Sequence, residues 1–182
     1  IAPSYQEEAL PIVKKKKAML LTYPQMSTER KGFDMKRVAG GLLLQERPTR
    51  RLSPSELKAV TKRAPTKEEL DSLIWGWRVV RHVKSNGIVF VKGTRTVGVG
   101  AGQMSRVMAV RIAVEKAGEN ARGAVMASDA FFPFPDGIDV AGKAGITAVM
   151  HPGGSIRDSD AIAKADEYDM AMVLTGFRVF RH

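Results

Sequence analysis

The chain contains an unusual ten-residue stretch, Ser128-Asp129-Ala130-Phe131-Phe132-Pro133-Phe134-Pro135-Asp136-Gly137. Its two prolines fix φ and remove backbone donors, so neither a regular helix nor a regular strand fits it. The small apolar run before it, 123–127, is typical of a buried strand. The pattern predicts a strand ending in a rigid turn, with carboxylates and rings at the edge where open α/β sheets bind ligands. A turn whose phenylalanines only plug the core fits these residues equally well.

Strand and helix patterns alternate on both sides of this stretch, over residues 60–182. Thr66 and Glu69 form a capping box, which predicts a helix whose apolar stripe (Leu70, Leu73, Ile74, Trp77 and Val80) packs into the core. The other patterns predict strands at 87–91, 95–99, 146–150 and 170–174, and helices at 105–117, 138–144 and 158–168. Such alternation is typical of a layered α/β domain.

The first 60 residues have weaker patterns. Residues 5–17 predict a helix that is kinked at Pro11 or begins there. The remaining patterns predict strands at 18–22 and 38–45, and loops at 24–36 and 46–57. A boundary is therefore predicted near residue 60.

The charge balance points to an anionic partner. The 182 residues include 29 Lys+Arg and 19 Asp+Glu, a formal charge of +10. Nucleic acid, phosphorylated metabolites and acidic tails all suit such a charge. Aromatic residues do not alternate with the basic runs at 14–17 and 47–63, so the stacking platform of a single-strand binder is missing.

The composition favours a globular protein of a reducing compartment, with the cytoplasm as the expected location. The hydrophobic content of 44% is sufficient for a core, and cysteine is absent, so no disulfide framework exists. No apolar run is long enough to cross a bilayer, and the N-terminus lacks a signal-peptide pattern. The chain begins at Ile1, which is consistent with a piece of a longer polypeptide.

Two motif patterns were candidates for a cofactor or metal site. The glycines at 98, 100 and 102 do not form a dinucleotide fingerprint, because the required third glycine is replaced by Gln103. This turn leads into a predicted helix and, with Arg106, could hold an anion; a tight packing turn fits equally well. The three histidines are too scattered to predict a metal site, and the Pro-Cys-x-x-Cys signature of zinc deaminases is missing.

Five ordered motifs carry a more specific signal. They are Lys84-Ser85-Asn86, Gly100-Ala101-Gly102-Gln103-Met104-Ser105-Arg106, the stretch 128–137, Pro152-Gly153-Gly154-Ser155-Ile156-Arg157-Asp158, and Phe180-Arg181-His182. Together they resemble AICAR transformylase, the formyl-transferring part of a bifunctional purine-biosynthesis enzyme that also carries IMP cyclohydrolase.

The resemblance implies a fold and a reaction. The fold is an α/β, cytidine-deaminase-like, three-layer fold without zinc; residues 1–60 would be the tail of a first repeat with a connector, and 61–182 the whole second repeat. The reaction transfers a formyl group from 10-formyltetrahydrofolate to the 5-amino group of AICAR, giving formyl-AICAR and tetrahydrofolate. Catalysis then depends on positioning and proton transfer.

The resemblance also implies site residues. Nucleotide-contacting positions fall on Asn86, Arg106, Phe131 and Arg178, which leaves Phe132 and Phe134 as the rings predicted to plug the core. Folate-side positions fall on Val107, Asp136, Ser155 and Ile156. In some members a monovalent cation such as K⁺ lies near the positions of Ser85 and Asp129. Family sites lie between two subunits, which implies a homodimer.

One departure limits the expected activity. The family's proton-accepting histidine follows a lysine upstream of the position of Ile1, and no Lys-His pair occurs in the 182 residues. The resemblance therefore implies no catalytic proton acceptor in this chain, which is expected to be inactive alone. The alternative function is a non-catalytic module that binds phosphoribosyl ligands or RNA through its basic surface.

Overall fold

The computed structural model describes residues 1–15, 19–25, 32–47 and 49–182. Contacts divide the chain into two compact units, residues 1–49 and residues 50–182. The sequence predicts a boundary near residue 60 that separates two repeats. This division into repeats stays a prediction. No helix within the described ranges is long and apolar enough to span a membrane.

The first unit has a short helix and a β-hairpin. Helix α1 covers Ala9–Lys14, and strands β1 (Phe33–Val38) and β2 (Gly41–Glu46) pair antiparallel. Pro11 lies in the first turn of α1, where the missing N–H costs no intrahelical bond. Among the described residues, which exclude 16–18, the helix predicted over 5–17 covers only Ala9–Lys14.

Three predictions for this unit were wrong. Residues 19–22 form no strand, only an isolated bridge between Ala2 and Thr22, while residue 18 lies outside the described ranges. Residues 33–36 belong to β1 instead of a loop, and 26–31 lie outside the described ranges. The strand predicted at 38–45 is divided by a tight turn, because Gly40 adopts φ +79° and lets the chain reverse.

The second unit is a six-stranded sheet with helices on both faces. In chain order its elements are β3 (Lys58–Ala59), α2 (Lys67–Val80), β4 (Ile88–Lys92), β5 (Arg95–Gly100), α3 (Arg106–Ala117), β6 (Val125–Ser128), α4 (Asp136–Lys143), β7 (Ala148–His151), α5 (Asp158–Glu167) and β8 (Ala171–Leu174). The strand order is β3-β8-β7-β6-β4-β5, with β6, β7 and β8 parallel and the other pairs antiparallel. Two short 3₁₀ turns cover Pro54–Glu56 and Gly118–Ala121.

Successive side chains of a strand point to opposite faces of the sheet, and this alternation produces two hydrophobic cores. In β4, Ile88 and Phe90 pack into the core shared with α3, α4 and α5, whereas Val89 and Val91 pack into the core shared with α2. Both faces of the strand are therefore buried, as expected for a sheet covered by helices on both sides. This confirms the predicted layered α/β domain.

The predicted elements of this unit are confirmed with small shifts of their ends. The capping box is present: Thr66 Oγ1 accepts from the Glu69 amide at 3.2 Å, and Glu69 Oε2 accepts from the Thr66 amide at 2.9 Å. Leu73, Trp77 and Val80 are buried, so the apolar stripe of α2 is a core face. Local sequence signals predict these elements because the patterns depend on residues that are close in the sequence.

Candidate functional site

Several loops meet at one edge of the sheet. Strands β6 and β7 end there, at Ser128 and His151, and the antiparallel β4 begins there, with Ile88 opposite Ser128. The loop between β5 and α3 lies at the same edge, because Gly100 pairs with Ile88. The edge thus gathers residues that are far apart in the sequence, as expected at the strand ends of an α/β sheet.

A cleft of about 390 Å³ opens at this edge. Its lining combines polar, charged and aromatic side chains from four segments: Asn86, Met104, Ser105, Arg106, Val107, Ala130, Phe131, Pro133, Phe134, Asp136, Arg178 and Phe180. The volume is in the range of small-molecule sites. A concavity therefore lies at the predicted strand-end position, and the proline-rich turn after β6 contributes Ala130, Phe131, Pro133, Phe134 and Asp136 to it.

A buried ion pair supports the floor of the cleft. The Arg106 guanidinium contacts the Asp129 carboxylate, and their side chains are 6% and 0% exposed. Arg106 Nη1 also donates to Ser128 Oγ at 3.1 Å and to the Gly87 carbonyl at 3.3 Å. One arginine thus holds together the start of α3, the end of β6 and the start of β4.

Asn86 is oriented by two opposed hydrogen bonds. Its Oδ1 accepts from Arg106 Nη2 at 2.8 Å, and its Nδ2 donates to the Gln103 carbonyl at 2.8 Å. The backbone amide of Asn86 donates to the same carbonyl at 3.1 Å. The amide side chain is therefore held in one orientation at the wall of the cleft, and it retains a second Nδ2 hydrogen for a ligand.

Arg178 presents the accessible guanidinium of the cleft. It is exposed and lies over the Phe131 ring at 4.7 Å and the Phe180 ring at 5.8 Å. In the described part of the chain it forms no salt bridge. Arg106 is buried and neutralised by Asp129, so Arg178 is the better placed of the two to meet an anionic group.

Most of the predicted site residues come together. The four nucleotide-side residues and two of the four folate-side residues, Val107 and Asp136, line the cleft. Ser155 and Ile156 do not line it; Ile156 is fully exposed, on the loop after β7. That loop reaches the cleft indirectly, because the Arg157 guanidinium lies 4.9 Å from the centre of the Phe134 ring.

The aromatic residues of the turn divide into two roles. Phe132 is fully buried, packs edge-on against His151 and contacts Gly137, which confirms its prediction as a core plug. Phe134 was also predicted to plug the core, and this was wrong: it is 51% exposed and lines the cleft. Pro133 turns the backbone between these rings, so the two side chains diverge.

Sequence reasoning missed several lining residues. Met104, Ser105, Ala130, Pro133 and Phe180 line the cleft without having been predicted individually. Each lies within one of the five motifs, so the motifs themselves were the available signal. What the motifs could not show is which side of the backbone faces the cleft.

Of the two interpretations of the glycine turn at 98–102, the structure supports the tight packing turn. A Cβ on Gly100 would lie 1.8 Å from the Ala109 carbonyl oxygen, and one on Gly98 would lie 2.3 Å from the Ala113 carbonyl oxygen. Both glycines let β5 pack directly against the backbone of α3. Arg106, the residue proposed to complete an anion site here, instead pairs with Asp129.

Both carboxylate oxygens of Asp129 already have partners. One carboxylate oxygen contacts Arg106, and the other accepts from the Ser85 hydroxyl. A cation at this position would compete with the Arg106 guanidinium for the Asp129 carboxylate. Within the described ranges no group of three or more His, Asp or Glu side chains forms a metal site. The monovalent cation near Ser85 and Asp129 stays a prediction, and no step below depends on it.

The fold and the cleft define an α/β domain with a strand-end cleft rich in arginine and phenylalanine. The chain belongs to the AICARFT/IMPCHase bienzyme family, whose sequence profile matches residues 1–116. This confirms the resemblance predicted from the motifs.

Curated relatives match over the whole chain. The bifunctional purine biosynthesis protein PurH of Anoxybacillus flavithermus (strain DSM 21510 / WK1) is 52% identical over 183 residues, covering 100% of this chain and 36% of that protein. The PurH protein of Magnetococcus marinus (strain ATCC BAA-1437 / JCM 17883 / MC-1) is 53% identical over 195 residues, covering 100% of this chain and 37% of that protein. The chain therefore spans little more than a third of these relatives.

Among solved structures, Acinetobacter baumannii RibD, form 2, is similar with a TM-score of 0.42 at 16% identity, covering 57% of this chain and 33% of that chain. The likeness is too slight to support a conclusion.

Proposed function

We propose that this chain carries one side of a formyl-transfer site in purine biosynthesis. In this site the 5-amino group of AICAR attacks the formyl carbon of 10-formyltetrahydrofolate. The new C–N bond forms as the bond between the formyl carbon and N10 breaks, and tetrahydrofolate leaves. The observation that carries the proposal is the convergence of six family-matched residues on one cleft in a chain of this family.

The nucleotide side is assigned to the polar end of the cleft. Arg178 is exposed and forms no salt bridge among the described residues, which suits a phosphate. The oriented Asn86 amide suits a carboxamide, and Phe131 offers a ring face beside the guanidinium. In this proposal Arg106 acts mainly by holding Asn86, because its charge is already paired with Asp129.

The folate side is assigned to Asp136 and the residues around it. Asp136 is exposed at the first residue of α4, and its carboxylate can accept hydrogen bonds from an amino-pyrimidine edge. Val107 and Phe134 provide apolar area nearby. The predicted partners Ser155 and Ile156 lie on the next loop, beyond the Arg157–Phe134 contact.

The proton acceptor is assigned to a Lys-His pair that the 182 residues do not contain. Attack by the amine requires loss of a proton, and the described cleft lining includes no histidine. The 182-residue chain is therefore expected to bind substrates without turning them over. Wild-type-like formyl transfer by this chain alone would contradict the assignment.

The proposal extends to the fold and the assembly. The six-stranded sheet with helices on both faces supports assignment of 61–182 to a zinc-free, cytidine-deaminase-like repeat, with 1–60 as the tail of another repeat and a connector. A homodimer with shared sites is proposed from the family resemblance. Sedimentation velocity of the chain with and without AICAR tests the dimer.

A calorimetric titration tests the nucleotide site. AICAR and the corresponding nucleoside, which lacks the phosphate, are titrated into the wild-type chain and into Arg178→Gln. Loss of a charge-assisted contact should weaken AICAR binding about tenfold or more and leave the nucleoside unaffected. Arg111→Gln, which removes the same charge from an exposed position of α3 outside the cleft, is the matched control.

Two outcomes would contradict the proposal. Equal loss of affinity in both variants would indicate a general charge effect. Tighter binding of RNA than of AICAR, with a steep dependence on salt, would favour the nucleic-acid alternative.

A further inference from the structure

His151 is a buried imidazole at the end of β7 that the proposed reaction does not use. It is 0% exposed, and its ring packs edge-on against Phe132 with centroids 5.4 Å apart. Its Nδ1 accepts a hydrogen bond from the Gly153 amide at 3.1 Å, and its Nε2 lies 3.2 Å from Met172 Sδ. Acceptance at Nδ1 places the proton on Nε2, so the ring is neutral.

The hydrogen bond to Gly153 fixes the start of the loop that follows β7. Gly153 and Gly154 both have positive φ, +70° and +91°, so the backbone bends sharply directly after the imidazole. The far end of the loop is held by Asp158, whose Oδ2 accepts from the Gly154 amide at 2.7 Å. A ring at one end and a carboxylate at the other thus hold two successive amides.

The same loop is connected to the wall of the cleft. Arg157 lies over the Phe134 ring, which lines the cleft, and Phe132 joins the ring of His151 to the proline-rich turn. A shift of the loop would therefore move Ser155, Ile156 and Arg157 relative to Phe134. The nucleotide-side residues Asn86 and Arg178 do not lie on this loop and have separate supports.

We infer that His151 is a positioning residue: its Nδ1 holds the Gly153 amide and so sets the loop 152–157 on the folate side of the cleft. The part that concerns folate rests on the proposed function. His151 itself does not line the cleft, so it acts through the loop.

The chemistry required at position 151 is a neutral acceptor inside an apolar core. Leucine fills similar space but leaves the Gly153 amide without its partner, which is costly for a buried donor. Asparagine can place an acceptor near the position of Nδ1. Glutamine places its amide nearer the position of Nε2, where it faces Met172 instead.

The experiment compares His151→Leu, His151→Asn and His151→Gln with the wild-type 182-residue chain. Hydrogen exchange of the Gly153 amide is followed by NMR, and binding of AICAR and of tetrahydrofolate is measured by calorimetry. His82→Leu, which removes an exposed imidazole outside the cleft, is the control for loss of a histidine.

We expect Gly153 exchange to accelerate in His151→Leu and His151→Gln and to stay protected in His151→Asn. Tetrahydrofolate binding should weaken about fivefold in the first two variants, the size of one lost neutral hydrogen bond, while AICAR binding is unchanged. Recovery of both properties in His151→Asn separates positioning from a general loss of packing, which Asn would not repair.

Several results would overturn the inference. Unchanged Gly153 exchange in a folded His151→Leu or His151→Gln would show that the ring does not hold the amide. Accelerated exchange with equal losses for both ligands would show no preference for the folate side. If the wild-type chain binds AICAR but not tetrahydrofolate, the folate part fails while the exchange data still decide the hydrogen bond. If the wild-type chain binds neither ligand, both the folate part of the inference and the proposed function fail.

Discussion

Replacement of Arg106 by methionine should destabilise the domain strongly, because it leaves the Asp129 carboxylate buried without its cation. Asp129 is fully buried, and among the described residues its carboxylate would retain only the Ser85 hydroxyl. Removal of one partner from a buried ion pair typically costs about 3–5 kcal/mol. At about 2–4 °C per kcal/mol for a chain of this size, the melting temperature should fall by about 6–20 °C.

The complementary replacement, Asp129→Asn, should cost less. Arg106 would keep its hydrogen bonds to the Gly87 carbonyl, to Ser128 Oγ and to Asn86 Oδ1 at 3.3, 3.1 and 2.8 Å. The double variant removes both charges, and loss of a whole buried pair is often close to neutral. The two single costs should therefore exceed the cost of the double variant by about 2 kcal/mol or more.

Urea unfolding followed by circular dichroism measures all four corners of this double-mutant cycle. Lys143→Met is the surface control, since it breaks an exposed ion pair with Asp139 and should leave the melting temperature unchanged. Additive losses from the two single variants, or an Arg106→Met variant as stable as the wild type, would refute the argument that the pair is coupled through burial.

Three further predictions concern packing, capping and pH. Gly100→Ala should cost about 1–3 kcal/mol or more, because its Cβ would lie 1.8 Å from the Ala109 carbonyl oxygen; Gly41→Ala, with nothing within 4 Å, is the control in thermal melts. Thr66→Ala should cost about 1 kcal/mol in urea unfolding and leave AICAR binding unchanged, and a larger effect on binding would contradict a purely local cap. Burial lowers the pKa of His151 from 6.5 to about 4, so the unfolded chain binds its proton first and stability should fall by roughly 3 kcal/mol as the pH drops from 6.5 to 4. The stability of His151→Asn, measured over the same range, should lack that contribution, and equal pH slopes for the two proteins would argue against it.

Local signals predicted most of the second unit. The capping box identified α2, and runs of small or β-branched residues identified the strands, because these patterns depend on neighbours in sequence. The hairpin of the first unit was missed, although the strand predicted at 38–45 overlaps its second strand. Its strands, 33–38 and 41–46, have exposed residues on both faces, so no alternation marked them.

The stretch 128–137 shows what the sequence determined by itself. Its prolines and the apolar run before it were enough to predict a buried strand followed by a rigid turn at a ligand-binding edge. The five motifs were enough to predict the family. Both inferences depend on residues that are adjacent in the chain, and no tertiary contact is needed to recognise them.

Only the tertiary structure decided the individual roles at that edge. It paired Arg106 with Asp129, left Arg178 as an accessible guanidinium, buried Phe132 and exposed Phe134. The physical reason is that these outcomes depend on burial and on partners distant in the sequence. The sequence specifies which side chains carry a charge or a ring. Packing across the whole sheet determines which neighbour neutralises, covers or orients each of them.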